Sequence, residues 1–367
     1  MRRTCLVLAA SAALAALLTP AAAGAEEPSS KPQVSVMTRA NGPARPTLAS
    51  YFAREDAGLQ TGGVRRIPIH TPKGDFTVWT KRFGTNPRIK LLLLHGGPGA
   101  THEYFESFES FLPAEGIEFI YYDQLGSAYS DQPKDDSLWT IDRFVDEVEQ
   151  VRKALSLTRE NFYLLGSSWG GILAVEYALA HPQELKGLVI SNMMMSIPDY
   201  NRYANDVLAR QMDPAVVKEI REIEARKEYE SPRYMELLMP HFYSQHVLRR
   251  PPAEWPDGVL RAFAKINKDV YVTMQGPSEF GASGRLEKWD RKADLPRITV
   301  PTLVIGAQHD TMDPDHMRWV AGQVKNGRFL LCPNGGHLAM WDDQGTYFPG
   351  LIAFLQDVDA GRPVKRP

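Results

Sequence analysis

Residues 162–171 read Phe162-Tyr163-Leu164-Leu165-Gly166-Ser167-Ser168-Trp169-Gly170-Gly171. An apolar run, Phe162 to Leu165, ends in a G-x-S-x-G pentapeptide, and a helix-forming apolar stretch, Ile172 to Ala180, follows at once. A strand that turns directly into a helix leaves little space at the turn, so small residues must flank the serine. The Ser168 hydroxyl then projects from the strand's C-terminal edge, close to the helix N-terminus. There the helix dipole favours developing negative charge. Glycine and serine also make ordinary turns, so it is the strand–turn–helix context that marks Ser168 as a nucleophile.

Working outward, the same alternation of strand and helix continues on both sides. Short continuous apolar runs at 90–95 (KLLLLH), 117–122, 187–190, 302–305 (TLVI) and 328–332 have the pattern of strands buried on both faces. Between them, Ile141, Phe144, Val145, Val148, Val151 and Leu155 recur at helical spacing, and residues 315–324 and 347–355 read as further helices. Upstream, 64–70 and 75–83 are β-rich runs joined by Thr71-Pro72-Lys73-Gly74, a hairpin turn. Alternating strands and helices predict an α/β protein with a mostly parallel sheet covered on both faces. From about 196 to 294 the strand signals stop. That stretch is rich in Arg, Glu, Tyr and Met, with prolines between helical segments, and predicts an inserted helical cap. The expected organisation is a core of residues 64–195 and 295–358, a cap of 196–294, and a lead-in of 26–63.

The N-terminus is a separate object. Arg2 and Arg3 precede an apolar run from Cys5 to Leu18, Pro20 breaks it, and Ala23-Gly24-Ala25 is a small-x-small cleavage site. The run is shorter than the roughly 20 residues that span a bilayer, so residues 1–25 read as a secretory signal peptide and the protein as exported, to the periplasm or the medium. Cleavage removes two positive charges and takes the formal net charge from -2 to -4. With no basic block, the chain has no electrostatic footprint for nucleic acid. Cys332 is the one cysteine left after cleavage and lies in an apolar strand run, which suits packing better than catalysis. The 367 residues, 43% hydrophobic and 23% charged, are enough for a large core without disulfides.

Three more motifs each follow a strand. His95-Gly96-Gly97-Pro98-Gly99 ends the run at 90–95 and supplies a second place where backbone N–H groups can approach a carbonyl oxygen. The expected oxyanion donors are the N–H groups of Gly97 and Trp169. Asp310 stands just past the run at 302–305. Asp313 and Asp315 are rivals, Asp313 sitting in Asp-Pro where it suits a helix cap. His337 follows the run at 328–332 within Gly335-Gly336-His337; His309 is a rival but directly precedes the acid. The chain order Ser168, Asp310, His337 is that of the α/β-hydrolase fold and of neither other familiar serine triad. There is no H-E-x-x-H, no cysteine cluster and no phosphate-binding glycine motif, so neither a metal nor any other cofactor is called for.

With those motifs in place, the chain resembles the proline iminopeptidases, serine aminopeptidases on the α/β-hydrolase fold. The resemblance rests on HGGPG (95–99), DQLGSAYSDQP (123–133), GSSWGG (166–171) and GGH (335–337). It is strongest to the branch with the tricorn-interacting aminopeptidase and bacterial amino-acid amidases, through Gly276-Pro277-Ser278-Glu279-Phe280 and the segment 336–343, GHLAMWDD. It runs from about 64 to 355 and is weakest from 201 to 265. It implies that Glu279 binds the substrate's α-amino group, helped by Tyr271, because a buried charge requires a partner. It also implies that the substrate is a peptide or an aminoacyl amide, and that Asp123 and Gln124 organise the loop beside the site. In close relatives a second glutamate often follows the catalytic aspartate; here Thr311 stands there, and Asp313 is a candidate substitute. Trp169 and Phe280 are expected to line the side-chain pocket. The competing readings are a broad amidase or esterase, and a binding protein with a decayed triad; the presence of all three triad residues and the glycine loop speaks against the latter.

Overall fold

The apolar runs pair into one eight-stranded sheet in the computed structural model, which describes residues 62–364. The signal-peptide reading of 1–25 and all but the last two residues of the 26–63 lead-in lie outside the described residues. The strands are β1 (Val64–Thr71), β2 (Gly74–Phe83), β3 (Lys90–Leu94), β4 (Glu118–Asp123), β5 (Phe162–Ser167), β6 (Gly187–Ser191), β7 (Thr302–Ala307) and β8 (Gly327–Cys332). Their spatial order is β1-β2-β4-β3-β5-β6-β7-β8. β1, β2 and β4 pair antiparallel, with Thr71 opposite Gly74 closing the expected hairpin; every pair from β4 to β8 is parallel.

Burial of β4, β5, β6 and β7 on both faces explains why these strands read as unbroken apolar runs instead of alternating ones. Successive side chains take opposite faces. Leu92, Leu94, Leu164, Ile190 and Val304 pack one way, against α1 (Ile141–Ala154) and α2 (Trp169–Ala180), through Val148, Val151, Ile172 and Leu173. Leu91, Leu93, Leu165, Val189 and Leu303 pack the other way, in one cluster with Phe354 and Leu355 of the last helix. α2 is apolar on nearly every side, Glu176 excepted, because it is buried from Trp169 to Ala178.

Between β6 and β7 the chain forms only helices and loops, apart from an isolated bridge between Ser196 and Asp290. The helices are α3 (Ile197–Tyr203), α4 (Pro214–Ala225), α5 (Pro232–Leu238), α6 (Asp257–Ala264) and α7 (Lys268–Met274), with a wider π-type turn at Met239–Val247. Proline opens α4 and α5, where no intrahelical N–H bond is lost. Asp213 and Asn267 cap α4 and α7 through their side chains. Polar bonds moor this helical stretch over the glycine loop that follows β3. Arg261 grips Glu106 at 2.6 Å and also bonds Glu103; Lys265 reaches Glu103 at 2.6 Å; the Asn267 N–H donates to the Gly99 carbonyl at 2.9 Å. Glu103 is buried, so its charge depends on those two cations. After β7 come α8 (Pro314–Gln323), the short α9 (Ala339–Asp342) and α10 (Gln344–Asp359). No described helix is long and apolar enough to cross a membrane.

The turn at Ser168 is possible only because its neighbours lack a Cβ. A Cβ on Gly166 would overlap the Gly170 carbonyl, and one on Gly170 would overlap the Leu94 carbonyl of β3. Replacing Gly166 with Ala is therefore expected to cost about 3 kcal/mol or more, read as a fall in the urea or thermal unfolding midpoint. At Gly322 in α8 an added Cβ would meet nothing within 4 Å, so Gly322→Ala should instead stabilise by about 0.5 kcal/mol. Equal effects at the two positions would contradict the close approach at the turn.

Candidate active site

Three strand ends converge at one edge of the sheet. Ser168, the residue after β5, has φ 56° and ψ −127°, a conformation rare for a residue with a side chain. Its N–H donates to the Ser191 carbonyl at 3.1 Å, and its carbonyl accepts from the Gly171 N–H at 2.6 Å. Asp310 follows β7 and is fully buried; His337 follows β8 and is nearly so. His337 Nδ1 lies 2.7 Å from Asp310 Oδ1. The carboxylate also accepts from the Met312 N–H at 3.1 Å and from Asn192 Nδ2 at 2.7 Å. Thr311 Oγ1 adds contacts of 3.3 Å to Asp310 Oδ1 and 3.2 Å to His337 Nδ1. With Nδ1 turned to Asp310, Nε2 is the ring nitrogen left to accept a proton, and it has no protein partner among the described residues. Ser168 and His337 line the same cavity.

The glycine loop approaches the serine closely: a Cβ on Gly96 would stand 2.9 Å from Ser168 Cβ. The Gly96 N–H is already taken by Tyr104 Oη at 2.6 Å. The Gly97 and Trp169 N–H groups, by contrast, have no acceptor among the described residues, which leaves both for an oxyanion. Gly97 has φ 106°, and a Cβ there would meet the Ala100 nitrogen at 2.6 Å, so glycine is required. His95 and Gln124 brace the loop from behind. The Gln124 N–H donates to His95 Nε2 at 3.1 Å, His95 Nδ1 meets the Gly96 carbonyl at 2.9 Å, and Trp169 Nε1 donates to Gln124 Oε1 at 2.8 Å. This pattern requires neutral His95 with its proton on Nδ1. Burial pushes its pKa down to about 4, which keeps it so.

The cavity encloses about 390 Å³ between the sheet edge and the helical stretch. Its walls include Val247, Trp255, Leu260, Phe263 and Leu338, and Glu279 belongs to its lining. Tyr271 Oη donates to Glu279 Oε1 at 2.5 Å, the Glu279 N–H donates to Tyr243 Oη at 3.2 Å, and Tyr200 Oη donates to its carbonyl. No Lys, Arg or His stands within ion-pair distance of Glu279 among the described residues. Burial raises its carboxyl pKa, only partly opposed by His337 and the Tyr271 hydroxyl. The cavity thus holds one carboxylate, that of Glu279, with no counter-charge among the described residues.

Residues 90–227 match the family model described as alpha/beta hydrolase fold. A proline iminopeptidase of Flavobacterium johnsoniae is 63% identical over 293 residues, covering 80% of this chain and 98% of the relative. One of Elizabethkingia meningoseptica is 60% identical over 295 residues, with the same coverage. The chain belongs to the proline iminopeptidase family. The crystal structure of a proline iminopeptidase from Mycobacterium smegmatis superposes with a TM-score of 0.72 at 29% identity, covering 81% of this chain and 99% of that one. For a member of this family, several sequence expectations fall into place and two do not.

Asp123 organises its loop as expected, accepting from the His102 N–H at 2.9 Å and from its ring at 2.8 Å. His309 is exposed and takes no part in the Asp310–His337 pair. Asp313 does not line the cavity with Glu279: it caps α8, accepting from the Asp315 N–H at 2.9 Å. Thr311 turns into the Asp310–His337 pair and not into the cavity. The expected side-chain pocket is also corrected. Trp169 is buried with its indole tied to Gln124, and Phe280 packs on Phe242 at 4.8 Å, so neither lines the cavity. Asn192, Tyr104, Tyr200 and Tyr243 were invisible as site residues, because none stands in a motif; only their side-chain bonds reveal them.

Burial opposes charge on His337, but the adjacent Asp310 and, more weakly, Glu279 outweigh it and raise the imidazole pKa. A base must be neutral to accept a proton, so activity should fall as pH drops through that raised pKa. Removing the Glu279 charge makes the imidazolium less favourable. Glu279→Gln is therefore expected to move the acid limb of kcat/KM to lower pH, measured with an ester that carries no amine. An unmoved or upward-shifted limb would show that Glu279 does not act on His337.

Proposed function

We propose that this chain is a serine aminopeptidase that releases an N-terminal residue, preferably proline, from peptides through an acyl-enzyme. The observation that carries the reading is the uncompensated carboxylate of Glu279 in the cavity that holds Ser168 and His337. A buried carboxylate with no counter-charge is costly, and a substrate ammonium supplies the missing charge. That need distinguishes an aminopeptidase from a general esterase, whose acyl group has no cation to offer. The preference for proline is supported by the name shared by the relatives, and by a small apolar-walled space beside the serine.

The geometry gives each residue a role. The N-terminal ammonium sits against Glu279, with Tyr271 fixing the carboxylate. Ser168 Oγ attacks the first carbonyl while His337 Nε2 takes its proton and Asp310 stabilises the imidazolium. The Gly97 and Trp169 N–H groups bind the oxyanion, each typically worth about 3 kcal/mol. His337 then protonates the leaving amine, and water, activated by the same imidazole, hydrolyses the ester. The charged n-region, apolar run and small-x-small site within residues 1–25 support export to the periplasm or medium.

Ser168→Ala should lower kcat by more than about 10⁴-fold with the unfolding midpoint preserved. Prolyl-β-naphthylamide should be turned over faster than the alanyl and leucyl compounds, and N-acetylation should abolish turnover. Glu279→Gln should cost roughly 100-fold in kcat/KM on free-amine substrates and little on an ester without the amine. Equal rates on acetylated and free substrates would refute the aminopeptidase reading and leave an esterase or amidase.

A further inference from the structure

The π-type segment Met239–Val247 belongs to the helical stretch, far in sequence from every triad residue, yet it touches both triad-bearing loops through one side chain and its backbone. His246 Nδ1 lies 3.0 Å from the carbonyl of His309, the residue before Asp310. A carbonyl can only accept, so Nδ1 carries the proton. The His246 carbonyl in turn accepts the His337 N–H at 2.7 Å, and the Val247 carbonyl accepts the Leu338 N–H at 2.8 Å. The approach is close enough to dictate a glycine: a Cβ on Gly336 would stand 2.8 Å from the His246 carbonyl oxygen. Asp342 secures the same corner, accepting from the Gly336 N–H at 3.0 Å and from the Arg249 N–H at 3.1 Å.

The opposite side of this segment faces the cavity. Tyr243 accepts the Glu279 N–H, and Met239, Tyr243 and Val247 line the cavity. The His246 ring packs on Phe242 at 5.3 Å, and Phe242 packs on Phe280, the neighbour of Glu279. Nine residues therefore bond the backbone of Glu279 through the Tyr243 hydroxyl, the acid loop through the His246 ring, and the base loop through the His246 and Val247 carbonyls.

We infer that His246 is a positioning residue: its side chain and carbonyl clamp the Asp310 loop to the His337 loop, so that the helical stretch fixes the acid–base geometry as well as the pocket. The inference rests on the proposed roles of Asp310 and His337. Burial lowers the His246 pKa, consistent with a neutral ring that donates from Nδ1.

The test compares two substitutions of similar size. Asn places an N–H donor where Nδ1 stands, and Leu does not. His246→Leu should lower kcat for prolyl-β-naphthylamide by about 10- to 100-fold, with KM changed less than about twofold, a split expected of misplaced chemistry rather than lost binding. His246→Asn should recover most of that loss. The low-field proton resonance of the His337–Asp310 hydrogen bond should broaden or move in the Leu variant and return in the Asn variant. If His246→Leu does not fold, Gly336→Ala, which pushes on the same contact, replaces it with the same expected kcat loss. Loss of unfolding midpoint with unchanged kcat, or equal losses in Leu and Asn, overturns the positioning role. Failure of Ser168→Ala to abolish turnover would instead overturn the triad itself, so the two failures are distinct.

Discussion

The architecture depends on how closely the N-terminus of α2 lies against the end of β3. Gly170 sits on the Leu94 carbonyl with no room for a side chain, and Gly166 sits on Gly170 in the same way. That contact forces the chain through a turn too sharp for ordinary backbone, and the strain falls on Ser168, held with φ 56°. Everything in the reaction centre refers to this point. It sets where the hydroxyl emerges and aims the Trp169 N–H at the same space. It also brings the glycine loop within touching distance, because β3 and β5 are hydrogen-bonded neighbours. Strain of this kind costs of order 1–3 kcal/mol and persists only where the surroundings over-determine it. Here they do, since the flanking strand and helix are buried on all sides.

A second constraint is electrostatic. The site contains two carboxylates with different fates. Asp310 is satisfied several times over, by His337, Asn192, the Met312 N–H and Thr311. The Glu279 carboxylate accepts from the Tyr271 hydroxyl and has no cationic partner among the described residues. In the proposed mechanism the first arrangement supports a transient positive charge on the imidazole, and the second receives a permanent one from the substrate. Three tyrosines surround Glu279, Tyr271 at its carboxylate and Tyr243 and Tyr200 at its backbone. They donate or accept hydrogen bonds without supplying a positive charge that would compete with the substrate.

The sheet, its order of motifs and the Ser168, Asp310 and His337 positions were legible because each is a local statement. An apolar run ends, a short loop follows, and the functional residue occupies the loop. Glu279 and Tyr271 were legible only through family resemblance, since no periodicity marks them. What escaped was everything set by side-chain direction. Trp169 stands beside the nucleophile in sequence, yet its indole points along the buried face of α2 to Gln124. Phe280 adjoins Glu279 but turns to Phe242. Thr311 follows the acid and turns inward, while the cavity walls come from α6, the π-type turn and the segment after His337. Tyr104, Asn192 and His246 contribute through contacts with segments remote in the chain, and such contacts leave no local trace.

The proposed pairing of Glu279 with the substrate ammonium also has a consequence at the end of the catalytic cycle. The reaction leaves the α-ammonium untouched, so the liberated amino acid carries the same group by which its parent peptide was held. In the proposed binding mode the ion pair with Glu279 would stabilise substrate, acyl-enzyme and departing product alike, and so favour capture more than it speeds bond breaking. Departure of the free amino acid has to break that pair, which makes residence of the product a natural limit on throughput. An amino acid accumulating nearby would then slow the enzyme by occupying the proposed amine site.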